Sequence, residues 1–122
     1  MGLDLELKVL RFGYGTGTTT DLFLDRQYAF FQLFDDTGRV FDVRPICKVN
    51  QLGPSEAIYK HTDTGEERTT QDPYGNSLTY VFAQDVKKIP GEVREKLTEW
   101  NRAALAYIQE LPDDTKIYLW WC

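Results

Sequence analysis

Apolar residues near the C-terminus follow two periods, which predict a long helix and then a strand. From Pro90 to Leu111 they recur every three or four residues and so share one stripe of a helix. Pro90 suits the first turn, and Pro112 ends the helix. Residues 116–122 are apolar on both faces, which predicts a strand inside a sheet. The stripe contains Val93, Leu97, Trp100, Ala104, Ile108 and Leu111.

Three further segments have strand character. Leu3 to Val9 alternates strictly between apolar and polar residues, which predicts a half-buried strand with its leucines in the core. Asp21 to Leu24 and Leu78 to Phe82 are short apolar runs of the same kind. We expect the first of these strands to lie beside the last strand of the chain.

The aromatic-rich segment 26–34 allows two interpretations. Asp25 could cap a helix from Arg26 to Phe34, with its aromatic residues on one face. The same residues could instead form a strand that turns at Asp35-Asp36-Thr37-Gly38 into a hairpin. The pattern favours the helix, but a short apolar run fits both structures.

Residues 50–77 are mostly polar and predict a long loop. Asp72-Pro73-Tyr74-Gly75 has the residue order of a type I turn. Loops of this length are often functional or disordered. Taken together, the patterns predict one α+β domain over residues 1–122. Its expected architecture is a mixed or antiparallel sheet of about four strands, with one long C-terminal helix packed on one face and the last strand central.

Composition narrows the function classes. The chain has 122 residues and a formal charge of −5, which argues against nucleic-acid binding. Its two cysteines and one histidine have no zinc-ligand spacing, and Asp35 to Gly38 lacks the alternating carboxylates of a calcium loop. We therefore expect no metal and no cofactor. With no leader and no long apolar run, we expect a cytoplasmic protein that does not contact a membrane.

No catalytic constellation stands out, so the sequence favours a non-enzymatic protein while leaving activity open. His61 is the only histidine, and nothing fixes Asp63 beside it. Cys47 follows Pro45-Ile46 and suggests a packed, inert thiol. Residues 13–17 read Gly-Tyr-Gly-Thr-Gly, which lacks both G-x-G-x-x-G and the lysine of a P-loop. A turn is favoured there over a phosphate site.

Polar loops carry the candidate binding residues. Tyrosine is enriched where surfaces bind partners, because it buries a large area at a small entropic cost. The candidate partner-binding residues are Tyr14, Tyr59, His61 and Tyr74.

Several segments together resemble a group of small uncharacterised proteins encoded in phages and bacterial genomes. They are the start Met1-Gly2-Leu3-Asp4-Leu5, the turn Asp72-Pro73-Tyr74-Gly75 and the ending from Asn101 to Lys116, together with Arg26-Gln27-Tyr28 and Leu33-Phe34. The likeness fades between Val40 and Arg68. It implies a phage or prophage context, and it implies no catalytic residue because that group has no assigned activity.

Two functions from different classes follow. The first is a non-enzymatic interaction protein, a phage-borne accessory factor or inhibitor that binds a host or phage protein through exposed loops. The alternative is a small-ligand or nucleotide-binding module, with or without enzymatic activity, in which the Gly13–Thr20 loop and the His61 region converge on a pocket. In solution we expect a monomer or a small homo-oligomer, and the Trp120–Trp121 end is a third candidate as an oligomer interface.

Overall fold

The chain folds mainly into β-sheet, with short helices between the strands. A computed structural model describes residues 3–11, 18–40 and 46–122, apart from the side chain of His61. The strands are β1 (Leu5–Leu10), β2 (Thr19–Phe23), β3 (Asn50–Gln51), β4 (Ile58–Thr62), β5 (Gly65–Thr69), β6 (Thr79–Phe82) and β7 (Lys116–Trp121). The helices are α1 (Tyr28–Phe31), a 3₁₀ turn (Gln32–Phe34), α2 (Ala83–Val86), α3 (Gly91–Arg94) and α4 (Glu99–Gln109).

Five strands form the main sheet, in the order β2-β1-β7-β6-β3, and all neighbours are antiparallel. β7 lies in the middle, with Leu119 opposite Leu7 of β1 and Ile117 opposite Val81 of β6. The expected central position of the last strand, and its pairing with the first, therefore agree with the structure. Five strands replace the four expected because Asn50 and Gln51 pair with β6.

The predicted fold class is wrong because residues 46–122, all of which are described, contain no long C-terminal helix. The segment forms two short helices, α3 and α4, and Thr98 between them has extended backbone angles (φ −62°, ψ 162°). Its hydroxyl accepts a hydrogen bond from the Asn101 N–H at 3.2 Å, which caps the start of α4. The new helix buries Asn101 and Leu105, and it leaves Trp100 outside the core where the stripe had predicted burial.

The two faces of the main sheet are covered differently. Leu5, Leu7 and Val9 face the helices, and with the inward residues of β6, β7 and α4 they form the larger core. On the opposite face, Tyr118 and Trp120 pack with Ile58 and Leu78 in a smaller core. Alternation along each strand explains this division, since successive side chains point to opposite faces.

The long loop predicted over residues 50–77 is also wrong, because β4 and β5 pair there as a hairpin. Gly65, at φ +128°, follows the Asp63-Thr64 turn. The hairpin escaped prediction because Gly65–Thr69 is polar on both faces. The turn at Asp72 is confirmed: the Gly75 N–H donates to the Asp72 carbonyl at 2.9 Å, and Gly75 has φ +83°.

Segment 26–34 is helical, as favoured over the hairpin, although the predicted cap is wrong. Helix α1 begins after Gln27, and no side chain caps it. Asp25 instead accepts a hydrogen bond from the Thr98 hydroxyl at 2.7 Å. The proposed return strand of the alternative hairpin lies partly in residues 41–45, outside the described residues.

Asn101 joins α4 to the chain that leaves β2. Its Oδ1 accepts from the Asp25 N–H at 2.8 Å, while its Nδ2 donates to the Asp25 carbonyl at 3.0 Å and to Gln27 Oε1 at 2.8 Å. The side chain is fully buried, so these bonds satisfy polar groups that water does not reach. The start of α4 is thereby fixed beside the end of β2.

Candidate functional site

Exposed aromatic residues lie around the junction of α4 and β2, with Trp100 and Tyr107 on the helix and the Phe23 side chain on the sheet face opposite the larger core. We name the set Phe23, Trp100, Ala103 and Tyr107 the aromatic stripe. Phe23 is 54% exposed, Trp100 51% and Tyr107 40%. Residues 100, 103 and 107 share one face of α4, because positions three and seven apart align on a helix. Trp100 Nε1 donates to the Phe23 carbonyl oxygen, which brings the helix and the strand together.

The position of Trp100 follows from its neighbours. Thr98 starts the helix, and Asn101 turns inward to bind the chain after β2. Trp100 therefore points away from the core, beside the end of β2. The repeat of apolar residues does not show where α4 begins. The sequence signal for that start is Thr98, a residue type that caps helices, with Asn101 three residues later.

A second feature is a cavity of about 260 Å³ between the main sheet and the hairpin, which we name the sheet–hairpin cavity. Its floor is the polar face of β1 and β2 together with Trp120, and residues of the β4–β5 hairpin form its wall. The lining residues are Glu6, Lys8, Thr18, Thr19, Asp21, Tyr59, Lys60, Glu66 and Trp120.

Lys8 is the central charge of this cavity. Its Nζ lies 3.0 Å from Asp21 Oδ2 and 3.7 Å from Glu6 Oε1, and 5.1 Å from the centre of the Trp120 ring. The Lys60 ammonium lies 5.9 Å from the centre of the same ring. Both distances suit a cation–π interaction, so the tryptophan stabilises two positive charges. With Glu66, the lining carries three carboxylates and two ammonium groups.

The position of Glu6 in the cavity changes its acidity. Burial raises the pKa of Glu6, and the nearby Asp21 raises it further, while Lys8 opposes both effects. Because removal from water disfavours the charged form, Glu6 takes up a proton at a higher pH than an ordinary glutamate.

The residues predicted from sequence lie in different places. Tyr59 is 38% exposed on β4 and lines the cavity. His61 is on the same strand, in register with Glu66 of β5. Tyr74 is 52% exposed in the turn that follows Asp72, and it does not line the cavity. Tyr14 lies outside the described residues.

One part of the expected convergence falls on described residues. Thr18 and Thr19, at the end of the Gly13–Thr20 loop, line the cavity together with Tyr59 and Lys60, the residues just before His61. Gly13 and Gly15 lie outside the described residues. The described end of the loop and the strand of His61 therefore meet at one cavity, but a site built from the glycines and the imidazole stays a prediction.

Burial shows how accessible the two C-terminal tryptophans and Cys47 are. Trp120 and Trp121 are 7% and 2% exposed, so their side chains belong to the two cores, and an oligomer interface at this end of the chain stays a prediction. Cys47 is buried as predicted, and burial, with a smaller contribution from Asp85, raises the pKa of its thiol to about 12. So high a pKa leaves almost no thiolate near neutral pH.

The described residues hold neither a candidate metal site nor a helix that could span a membrane. Within residues 3–11, 18–40 and 46–122, no group of three histidine, cysteine or acidic side chains could hold a metal ion. None of the helices in this part of the chain has the length and apolar character needed to cross a bilayer. No protein-family model matches the chain, and no curated protein or solved structure shows significant similarity to it.

Proposed function

We propose that this protein binds a partner protein through the aromatic stripe. The observation that supports the proposal is the exposure of Phe23, Trp100 and Tyr107 around one junction, where the Trp100 indole bonds to the backbone of β2. Trp and Tyr dominate the binding energy of protein interfaces, and contiguous exposed apolar surface often marks them. The resemblance to phage-encoded proteins makes a host protein the expected partner. Two free cysteines are consistent with action in the reducing cytoplasm.

Two features lower the free-energy cost of burying the aromatic stripe in an interface. The indole N–H of Trp100 already donates to the Phe23 carbonyl, so a partner can cover the ring without leaving that donor unpaired. In addition, the bonds of Asn101 hold the first turn of α4 in place, which lowers the entropy lost on binding. Burying a large apolar side chain fully contributes about 1.5–3 kcal/mol.

Capture of the partner from a bacterial lysate tests this proposal. The wild-type protein is compared with Trp100→Ala and Phe23→Ser, and with the matched variants Tyr59→Ala and Tyr74→Ala, which remove aromatic residues of similar exposure. We expect the stripe variants to lose a stoichiometric partner and the tyrosine variants to retain it. The reverse pattern would move binding to the residues predicted from sequence. Thermal unfolding checks that each variant is folded.

A second candidate function is binding of a small polar ligand in the sheet–hairpin cavity. It is supported by the meeting of Thr18 and Thr19 with Tyr59 and Lys60 at one cavity. Because carboxylates outnumber ammonium groups in the lining, the cavity suits a zwitterion or a cation better than a nucleotide phosphate.

The indole N–H signal of Trp120 in a nitrogen-15 NMR spectrum can test this candidate. L-lysine and ATP are titrated separately into the wild-type protein and into Lys60→Met. Saturable movement of that signal with L-lysine, weakened in the variant, is the expected result. Movement with ATP alone would reverse the assigned ligand class, and no movement with either would remove the candidate.

A further inference from the structure

We propose that the partner binds as an extended strand on the outer edge of β2, so that it adds a strand to the main sheet. This inference rests on the proposed function and specifies the backbone conformation that the partner adopts. β2 is the terminal strand of the sheet, and in the described part of the chain no strand pairs with its outer side. Addition of a peptide strand to an exposed sheet edge is a recurrent mode of protein recognition.

Hydrogen bonds at the two ends of the β1–β2 pair show which backbone groups face outward. The Leu24 N–H donates to the Leu5 carbonyl at 3.2 Å, and the Arg11 N–H donates to the Thr18 carbonyl at 3.0 Å. Bonded and non-bonded pairs alternate along an antiparallel ladder, so residues 18, 20, 22 and 24 bond to β1. The residues between them, Thr19, Asp21 and Phe23, point their N–H and C=O groups away from β1.

Trp100 marks one end of this edge. Its indole donates to the outward carbonyl of Phe23, which agrees with the alternation and shows that an edge group accepts a donor from outside the sheet. Within the described residues no backbone hydrogen bond uses the outward groups of Thr19 and Asp21 or the N–H of Phe23, so these groups can pair with a partner strand. An incoming strand can therefore pair along most of β2 and end against the tryptophan.

β2 lacks the features that usually protect an edge. Natural edges are often very short or carry proline, lysine or a bulge. The sequence Thr-Thr-Asp-Leu-Phe has no proline and no lysine, and all five residues pair with β1 without a bulge. Its one charged residue, Asp21, is paired with Lys8 at 3.0 Å. The opposite edge strand, β3, has only two residues.

Neighbouring side chains indicate the chemistry of the partner strand. Asp21 and Phe23 project from the face that carries Glu6 and Lys8, whereas Leu22 projects toward the larger core and is half-buried. A basic residue opposite Asp21 and apolar residues opposite Leu22 and Phe23 match these positions. The partner strand is therefore expected to be apolar with a lysine or arginine at its centre.

A second copy of this chain fits the edge poorly. The twofold register that uses all three outward residues would place Asp21 directly opposite the partner's Asp21. Like charges directly opposite one another destabilise a strand pair, and each copy carries a formal charge of −5. We therefore assign the edge to a strand of a different protein.

The test uses random twelve-residue peptides displayed on phage and selected on the wild-type protein. A selected peptide is added to isotope-labelled protein, and exchange of the Thr19, Asp21 and Phe23 amide hydrogens is followed. We expect exchange at these three positions to slow at least about tenfold in the complex, because each N–H gains a hydrogen bond. Unchanged exchange at all three, or no enriched peptide, would overturn the proposal.

Two substitutions at one position separate the backbone from the side chain. Thr19→Pro removes an outward N–H that β1 does not use, whereas Thr19→Val keeps the N–H and the shape but loses the hydroxyl bond to Asp21. We expect the proline variant to weaken peptide binding at least about tenfold and the valine variant to stay within about twofold of wild type. Equal binding by both variants would contradict strand addition.

Three further outcomes are distinguishable. If Trp100→Ala abolishes partner capture while Thr19→Pro preserves it, the aromatic stripe binds the partner but strand addition is wrong. If neither change matters, both proposals fail. Slow exchange of the same three amides in a concentrated sample without peptide would assign the edge to a second copy and overturn the choice of a different protein. If Thr19→Pro does not fold, the exchange measurement on the wild-type complex decides.

Discussion

Asn101 is the residue whose polar contacts most directly shape the proposed binding surface. Replacing it with alanine would leave the N–H and the carbonyl of Asp25 without their buried partner and would open a small void, while Gln27 Oε1 would keep its bond from the Thr98 N–H. We expect a loss of about 2–4 kcal/mol in the free energy of unfolding, because unsatisfied buried groups cost more than the bonds contribute. Urea unfolding measures the change. Asn76→Ala, at an exposed asparagine, should cost less than about 1 kcal/mol.

Asp35 makes stability depend on pH. Although burial favours its protonated form, backbone N–H groups of Val40, Arg39, Thr37 and Gly38 hold the pKa of Asp35 below its ordinary value. As the pH falls, the unfolded state therefore takes up the proton first. The stability due to this carboxylate is present near neutral pH and is lost as the pH falls through its lowered native pKa.

The corresponding variant is Asp35→Asn. At pH 7 we expect it to be less stable than wild type by about 1.5–3 kcal/mol, the range for hydrogen bonds to a charged group. Because wild type loses this contribution in acid, the difference should shrink between pH 5 and about pH 2. Urea unfolding across this range tests the sign. The neighbouring exposed residue gives the control Asp36→Asn, and a constant difference for Asp35→Asn would contradict the assignment.

At the scale of single elements, the turn at Gly75 shows how much one backbone conformation contributes to the free energy of unfolding. Gly75 has φ +83°, and no atom lies within 4 Å of the position that a Cβ would take. The cost of Gly75→Ala is therefore conformational, and we expect about 1–2 kcal/mol of destabilisation in thermal unfolding. Gly91, which begins α3, also has open space but no positive φ. Gly91→Ala should be neutral or stabilising by up to about 1 kcal/mol, and equal losses would refute the conformational explanation.

Helices and strands were predictable where core packing requires apolar residues at regular intervals along the sequence. β1 alternates because Leu5, Leu7 and Val9 face the larger core, and β7 is apolar throughout because both of its faces are covered. The hairpin gave no such signal, since residues 65–69 are largely exposed. Its register depends on a turn and on contacts with distant residues. The helix period between Val93 and Leu111 continued across a real break, because the Thr98 cap interrupts the backbone without interrupting the apolar repeat.

The candidate sites were less predictable than the strands. Alternation places Glu6 and Lys8 on the face opposite the leucines, so charged residues on one side of β1 could be foreseen. Nothing local shows that β4 brings Tyr59 and Lys60 above them. Likewise, the exposure of Trp100 depends on where the helix begins and on the contact with Phe23, residues that are far apart in the sequence.

At the scale of the whole molecule, we expect the hairpin to be less stable than the main sheet to which it is attached. Most of β5 is exposed, whereas β7 is paired on both sides and almost wholly buried. Glu56 joins the base of the hairpin to β7 through Lys116 at 3.0 Å and the Tyr118 hydroxyl at 3.2 Å. We expect hairpin amides to exchange with solvent much faster than those of β7.

Glu56→Gln tests that attachment. Burial of Glu56 opposes its ionisation, but the Gly53 N–H, Lys116 and Tyr118 hold the pKa of Glu56 below its usual value, so the native carboxylate is charged at neutral pH. Removing the charge should speed exchange in β4 and β5 several-fold and leave β7 unchanged. Native-state hydrogen exchange reports both regions at once. Equal acceleration in β7 would show that the hairpin and the sheet open together.

The pairing of the first strand with the last has a consequence for biosynthesis. Leu5 lies opposite Trp121, so the middle of the sheet joins segments that a ribosome makes at widely separated times. Until residues 116–121 emerge, β1 and β6 lack their common neighbour and their apolar side chains lack a finished core. Pairings of such long sequence separation also form slowly, since a large loop must close before any contact compensates for the lost entropy. The main sheet can therefore form only once residues 116–121 have left the ribosome, and until then the exposed apolar strands favour aggregation.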